Sequence, residues 1–258
     1  MTDISEKDAH TQTLALTGRR AVVTGGSTGI GRAIAVLLAS EGATVFIGGS
    51  DQGHVDDALA RIREVGTGEG IALDLSQENN VSRFLAAATD AIGGYDIVVA
   101  NAAEAAEGLS DMDEAAVRHA VSLNFTQYLL LARAGAEAMG ADGDAGGDIV
   151  LIGSMSAYAL GPKSTVYAGI KHGLQGFSIA LRRELGPKGI RVALVEPGLT
   201  GSDMQYPDIP ADKQREMIGK DEMLRAEDIA VGVHYLLTQP RRAVIQRLTI
   251  APRMQDGE

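Results

Sequence analysis

The feature that most constrains this chain is an alternation of short apolar runs with longer helix-periodic segments. The β-prone runs fall at residues 20–24 (RAVVT), 44–48 (TVFIG), 70–75, 96–101 (DIVVAN), 148–154, 191–196 (RVALVE) and 244–250. Between them, residues 32–41, 55–65, 78–92, 115–139, 166–185 and 228–237 carry amphipathic helical patterns. A strand with almost no polar residues is buried on both faces. Such strands separated by helices make a parallel sheet covered on both sides. The predicted fold class is therefore α/β, a doubly wound, Rossmann-like parallel sheet. About seven strands are expected in the order 3-2-1-4-5-6-7, with helices on both faces.

A chain of 258 residues suits one such domain, predicted over residues 18–258. Aromatic residues make up only 4 %, so the core must come mainly from Ala, Val, Leu and Ile. The polar residues 1–17 predict a mobile leader without the apolar run of a signal peptide. Residues 141–147 (ADGDAGG) predict a flexible surface loop. Residues 200–219, long, polar and Pro-containing, predict a loop, and residues 200–224 a lid region over a ligand. The formal charge of −11 argues against nucleic-acid and anionic-membrane partners. With no Cys, thiolate metal sites and Cys nucleophiles are excluded. His10, His54, His119, His172 and His234 show no metal-ligand spacing, so no metal is expected. The expected location is the cytoplasm.

The first strand leads into Thr24-Gly25-Gly26-Ser27-Thr28-Gly29-Ile30-Gly31. A glycine-rich turn between strand and helix is where a nucleotide phosphate binds: the glycines allow a tight turn and a close approach, and the helix start offers free N–H groups. The spacing is G-x-x-x-G-I-G, not G-x-G-x-x-G. This pattern resembles the short-chain dehydrogenase/reductase family, in its shorter single-domain branch. The resemblance runs over roughly residues 17–250. It implies that Asp74-Leu75 contacts adenine, that Asn101-Ala102 opens an Asn-Ala-Gly motif, and that Pro197-Gly198 is the turn after the sixth strand. Thr200 then stands beside a nicotinamide amide. The third motif position is Ala103, whose methyl narrows the space beside the cofactor.

An acid ending the second strand would select NAD by binding the ribose 2′-hydroxyl. Gly49 stands at that position, followed by Ser50 and Asp51. Gly49 repels no phosphate and Ser50 can donate to one, so NADP(H) is favoured over NAD(H). No Arg stands at Thr28 or Ser50, which leaves Arg32 as the nearest cation, while Asp51 swinging inward would favour NAD.

Tyr167 and Lys171 lie at i and i+4 on a predicted helix, one turn apart on one face. A phenol, with a reference pKa of about 10, exchanges protons poorly at neutral pH, and a neighbouring ammonium favours its phenolate. Ser154 precedes Tyr167 at the family's spacing. Asn124 sits inside a helix, where its amide competes for backbone partners. The resemblance implies a catalytic set of Asn124, Ser154, Tyr167 and Lys171: Tyr167 as acid/base, Ser154 on the substrate oxygen, Lys171 on the ribose, and Asn124 holding a water. It also implies cofactor contacts from Gly25, Ser27, Thr28, Gly29, Ile30, Gly31, Gly49, Ser50 and the motif residues above, including Tyr167 and Lys171. Met155, Tyr158, Met204 and Tyr206 flank the site as candidate pocket residues.

The expected function is transfer of a hydride between a nicotinamide cofactor and a small carbonyl or secondary-alcohol substrate. The alternatives are an epimerase or dehydratase using bound cofactor, and a dinucleotide-binding sensor without turnover. The resemblance also implies a homodimer or homotetramer. The stretch 244–254 (VIQRLTIAPRM) departs from the family's commoner Asp-Gly-Gly ending.

Overall fold

A computed structural model describes residues 13–141, 146–158, 163–206 and 208–254. Seven parallel strands form one sheet in the order β3-β2-β1-β4-β5-β6-β7. They are β1 (Arg20–Thr24), β2 (Thr44–Gly49), β3 (Thr67–Ala72), β4 (Ile97–Ala100), β5 (Gly147–Ile152), β6 (Ile190–Pro197) and β7 (Arg247–Ile250). The chain winds outward from β1 through β2 to β3, then returns to place β4 on the other side of β1. That reversal opens a crevice at the carboxyl ends of the strands.

Neighbouring residues of a strand point to opposite faces, so one run feeds two cores. Val23, Ile47, Val150 and Val195 face α1 (Gly29–Ser40), α2 (Gln52–Val65) and α8 (Ala226–Leu237), meeting Ile34, Leu38, Ile62 and Val233. Val22, Phe46, Val98 and Leu194 face the opposite layer, α3 (Asn80–Ile92), α5 (Gln127–Ala141) and α6 (Thr165–Leu185), meeting Phe84, Leu131 and Leu174. Every position of β5 and β6 is buried, as a continuous apolar strand requires.

Four expectations are corrected. β3 begins and ends three residues earlier than the predicted 70–75. Pairing with β2, from Thr44↔Thr67 to Gly49↔Ala72, sets its limits. Its glycines are required by close packing: a Cβ on Gly68 would lie 2.5 Å from Ile62 Cγ2, and one on Gly70 2.7 Å from Ile47 Cγ1. The helix predicted over 115–139 is α4 (Glu114–Val121) and α5, joined by a π turn, Ser122–Thr126. The predicted loop 200–219 contains a 3-10 turn, Asp203–Gln205, and α7 (Ala211–Gly219). The predicted mobile leader is fixed where it is described: Leu16 is buried, and the Leu14 N–H donates to Thr238 O at 2.7 Å. Most of that leader, residues 1–12, and residues 142–145 of the predicted flexible loop lie outside the described residues.

The end of the sheet remote from the crevice is closed by ion pairs. Asp148, the second residue of β5, is buried and accepts from Arg191 Nε at 2.6 Å, Arg19 Nη2 at 3.0 Å and Arg241 Nη1 at 3.0 Å. Arg191 also donates to Leu237 O at 2.9 Å and Gln239 O at 2.7 Å, tying α8 to the sheet. Removing one member of a buried ion pair leaves the others uncompensated. Asp148→Asn is therefore expected to cost about 3 kcal/mol in denaturant unfolding while sparing the carboxyl-end crevice. Unchanged stability would mean that the three arginines are satisfied by their carbonyl partners and, for Arg19, by the Asp96 carboxylate.

Candidate functional site

The turn between β1 and α1 is built around the carboxamide of Asn101. Its Nδ2 donates to Thr24 O at 3.0 Å and to Gly25 O at 3.2 Å. The Thr24 hydroxyl accepts the N–H groups of Asn101 at 3.0 Å and Ala102 at 3.2 Å. Gly25 has φ +62°, and a Cβ there would lie 2.8 Å from Ala102 Cα. Thr28 precedes α1 in an extended conformation, with no side-chain cap. The first N–H groups of α1 therefore keep their donor capacity for a ligand, and the helix dipole favours an anion there. Gly31 serves packing: a Cβ there would lie 2.0 Å from Gly25 O, and the residue does not line the crevice.

The crevice is a cavity of about 1000 Å³, room for a dinucleotide with a small substrate. All the predicted site residues line it except Gly31 and Asn124. At one end, Asp74 and Leu75 follow β3. Asp74 accepts from Ser76 N at 2.9 Å, Ser76 Oγ at 2.7 Å and Gln77 Nε2 at 3.0 Å. Burial opposes its ionisation, but these donors hold its carboxyl below the usual range. At Gly49, a Cβ would lie 2.3 Å from Ser27 Oγ, so no acid fits there beside Ser27. Two residues weighed for cofactor choice are engaged elsewhere. Asp51 caps α2, accepting the His54 N–H at 2.8 Å, and Arg32 pairs with Asp57 at 3.0 Å.

At the other end, Ser154 follows β5, and α6 brings Tyr167 and Lys171 against it. Ser154 Oγ accepts the Ser156 N–H at 3.0 Å and is hydrogen-bonded to the Tyr167 phenol. Lys171 is 1 % exposed, and its Nζ donates to Ile152 O at 3.1 Å. It sits over two rings, 5.3 Å from the centroid of Tyr167 and 5.2 Å from that of Tyr128. Burial dominates both ionisations. The phenol of Tyr167 is pushed up to about 12 by desolvation, against the Ser154 hydrogen bond. Desolvation brings Lys171 down to about 7. In the protein alone, burial outweighs any help that Lys171 gives the phenol: both shifts run toward the neutral form, because neither charge is solvated.

Asn124 lies behind the wall, fully buried in the π turn. Such turns often mark functional positions because they free backbone and side-chain groups from the helical ladder. Its Oδ1 accepts the Glu104 N–H at 3.0 Å, which ties the helix to the Asn101-Ala102-Ala103 loop, and its Nδ2 is buried without a protein partner. An unpaired buried amide is costly and marks a place for a further acceptor. Gln127 completes the support, Nε2 donating to Ala102 O at 2.8 Å.

On the substrate side, Met155, Tyr158, Met204 and Tyr206 all line the cavity. Met204 and Tyr206, at 39 % and 67 % exposure, form its rim. Thr200 is buried beside Pro197-Gly198, its hydroxyl donating to Gly198 O at 2.9 Å. The sequence reading missed Tyr128, which shares the Ile152 carbonyl with Lys171, and the acidic lining residues Glu104, Asp203 and Asp208. Only the motif neighbourhood of Glu104 offered a signal. No group of His and acidic side chains suited to a metal occurs among the described residues. Among them, too, no helix is long and apolar enough to cross a membrane.

A glycine cradle, an uncapped helix start and a Ser-Tyr-Lys cluster on one wall fit a nicotinamide dinucleotide and define an oxidoreductase-type site in a doubly wound fold. The sequence model of the short chain dehydrogenase family matches residues 19–213, and the chain belongs to that family. An uncharacterized oxidoreductase of Staphylococcus aureus is 27 % identical over 238 residues, 92 % of this chain and 98 % of that one. A 7α-hydroxysteroid dehydrogenase, solved with NADH and 7-oxo glycochenodeoxycholic acid, is 27 % identical with a TM-score of 0.84, covering 92 % of this chain and 94 % of its own. A short chain dehydrogenase of Burkholderia cenocepacia, solved with NADP, is 31 % identical with a TM-score of 0.81, covering 93 % and 98 %. The chain is thus a family oxidoreductase that uses a nicotinamide cofactor.

Proposed function

We propose that the protein reduces uncharged ketones, or oxidises the matching secondary alcohols, with Tyr167 as acid/base and NADPH bound in preference to NADH. The observation that carries this reading is the cluster of Ser154, Tyr167 and Lys171 on the cavity wall, at the opposite end from Asp74. A bound reduced nicotinamide supplies hydride to the carbonyl carbon. The protein supplies the proton. Burial keeps the Tyr167 hydroxyl protonated at neutral pH, and an alkoxide is basic enough to take that proton. Ser154 Oγ already accepts the Ser156 N–H, so its own hydrogen is available to steady the developing oxyanion. Lys171, close to neutrality in its pKa, restores the proton to Tyr167, and the unpaired Nδ2 of Asn124 holds the acceptor that links Lys171 onward. Lys171 also holds the ribose hydroxyls.

Among the described residues, the charged residues of the wall are Asp74, Glu104, Lys171, Asp203 and Asp208. Setting aside Asp74 at the opposite end, one buried, readily neutralised cation stands against three acids, so the chamber favours an uncharged substrate over a carboxylate or phosphate. The ketone substrate of the hydroxysteroid dehydrogenase supports the reaction class. The space at Gly49 filled by Ser27, and the outward engagement of Asp51, support NADPH, while the pairing of Arg32 with Asp57 keeps the preference modest. Exposed Leu130 and Ile179 on α5 and α6, and Val231 and Tyr235 on α8, support a homo-oligomer. The test is turnover of NADPH and NADH on a panel of neutral ketones and secondary alcohols. Turnover with NADPH ahead of NADH is expected. Cofactor binding with no turnover across the panel would overturn the proposal.

A further inference from the structure

Glu196 is a fully buried acid that the proposed chemistry does not use. It stands near the end of β6, directly before Pro197-Gly198. Four side chains, from three parts of the fold, donate to it. Gln175 Nε2 on α6 reaches Oε1 at 2.7 Å, Arg247 Nε on β7 reaches Oε2 at 2.5 Å, and Thr249 Oγ1 reaches Oε2 at 3.3 Å. The Tyr158 hydroxyl lies 3.1 Å and 3.0 Å from the two oxygens. The Arg247 guanidinium sits over the Tyr158 ring, 4.8 Å from its centroid. The tyrosine is therefore held at its hydroxyl by a carboxylate and on its ring by a cation.

Two consequences follow. With its hydroxyl committed to Glu196, Tyr158 offers the cavity carbon and π surface only, although it lines the wall. Its position is also tied to Ser154. The 3-10 turn Met155–Ala157 starts from Ser154 as its cap and ends at Tyr158, whose N–H donates to Met155 O at 2.8 Å. A rigid ring four residues from Ser154 bounds the space open to whatever the carbonyl carries. Arg247 belongs to the stretch that departs from the family's commoner ending, and this contact gives that departure a role at the site.

We infer that Tyr158 is the specificity-determining wall of the substrate chamber, and that Glu196 and Arg247 are positioning residues that hold it in place and so set the size of the substituent admitted. The inference rests on the proposed reduction of ketones and names what limits its substrates.

The experiment compares kcat/KM for a small and a bulky neutral ketone in the wild type, Tyr158→Ala, Tyr158→Phe, Arg247→Met and Arg247→Lys. Pocket contacts of this size discriminate by about tenfold or more. Tyr158→Ala is expected to shift the bulky-to-small ratio by at least about tenfold toward the bulky ketone. Arg247→Met, in a half-exposed side chain, and Tyr158→Phe should move it the same way by less, with Arg247→Lys restoring part of the wild-type ratio. A role in folding alone would lower kcat/KM for both ketones together, and an unmoved ratio in Tyr158→Ala overturns the inference. A second readout needs no turnover: fluorine NMR of protein labelled with fluorotyrosine, the Tyr158 line being assigned by its loss in Tyr158→Phe. A single narrow line that broadens or splits in Arg247→Met supports the pin, and a line unaffected by that change overturns it. Should the wild type reduce no ketone, the functional reading fails by itself and the spectrum still decides whether Tyr158 is held.

Discussion

Tyr167→Phe is expected to lower kcat by about 10²- to 10⁴-fold while leaving cofactor affinity nearly unchanged. The phenol combines, on the cavity wall, a retained and transferable acidic proton with a place beside Ser154. Its ring stays in the variant, so packing over Lys171 and beside Ser154 is preserved. The loss should therefore appear in kcat, with little change in the fluorescence titration of NADPH. Retained turnover in this variant would remove Tyr167 from the acid/base role and shift attention to Ser154. A parallel loss of cofactor binding would show that the ring, not its proton, is what the site needs.

The second large effect is expected at Lys171, where function and stability oppose each other. Lys171→Met should reduce kcat/KM by about 10²-fold or more, because it removes both the proposed proton link and the proposed ribose contact. The same change should stabilise the folded protein near pH 6, raising Tm by roughly 5 °C. The sign follows from linkage. Burial lowers the folded pKa of Lys171 from 10.5 to about 7. Between those values the unfolded chain holds a proton that the folded chain has released. Stability contributed at this site therefore rises with pH through that window, and the full penalty of the buried ammonium is present below about pH 7. Methionine removes the penalty, so its advantage should shrink as pH rises toward 10. Ile152 O keeps the Tyr128 hydroxyl as a donor at 3.3 Å, so the substitution orphans no carbonyl. Thermal unfolding from pH 6 to pH 10 measures this. A Tm at pH 6 equal to or below the wild type would show that the two rings over Nζ offset its burial.

Much of the fold is legible because buried parallel strands leave a simple record. A run such as Arg191-Val192-Ala193-Leu194-Val195-Glu196 can sit only between two covered faces, and β6 is buried throughout. The glycine turn and the Tyr167–Lys171 pair are legible because their geometry is local to one turn or one helix, whereas Ser154, which follows β5, is reached only through the family's spacing. What is missed depends on partners remote in sequence. The glycines of β3 read as chain breakers until Ile62 and Ile47 are seen to occupy the space of their side chains. The π turn at Asn124 leaves no mark in the helical period beyond the Asn itself. Arg32 and Asp51 look free in sequence, yet each has a partner on α2. Lys171 reads as a charged helper for the phenol, and only its burial between β5 and two tyrosine rings shows why its charge is disfavoured. The contacts of Tyr158, Glu196 and Arg247 join residues from separate elements, so no spacing rule finds them.

The most direct test of the central claim is a fluorescence titration of the purified protein with NADPH and with NADH. Saturable binding of both, tighter for NADPH, is the result predicted by the uncapped start of α1, the glycine turn and the filled space at Gly49. Failure of both nucleotides to bind would contradict the account at its first step, whatever the arrangement of Ser154, Tyr167 and Lys171.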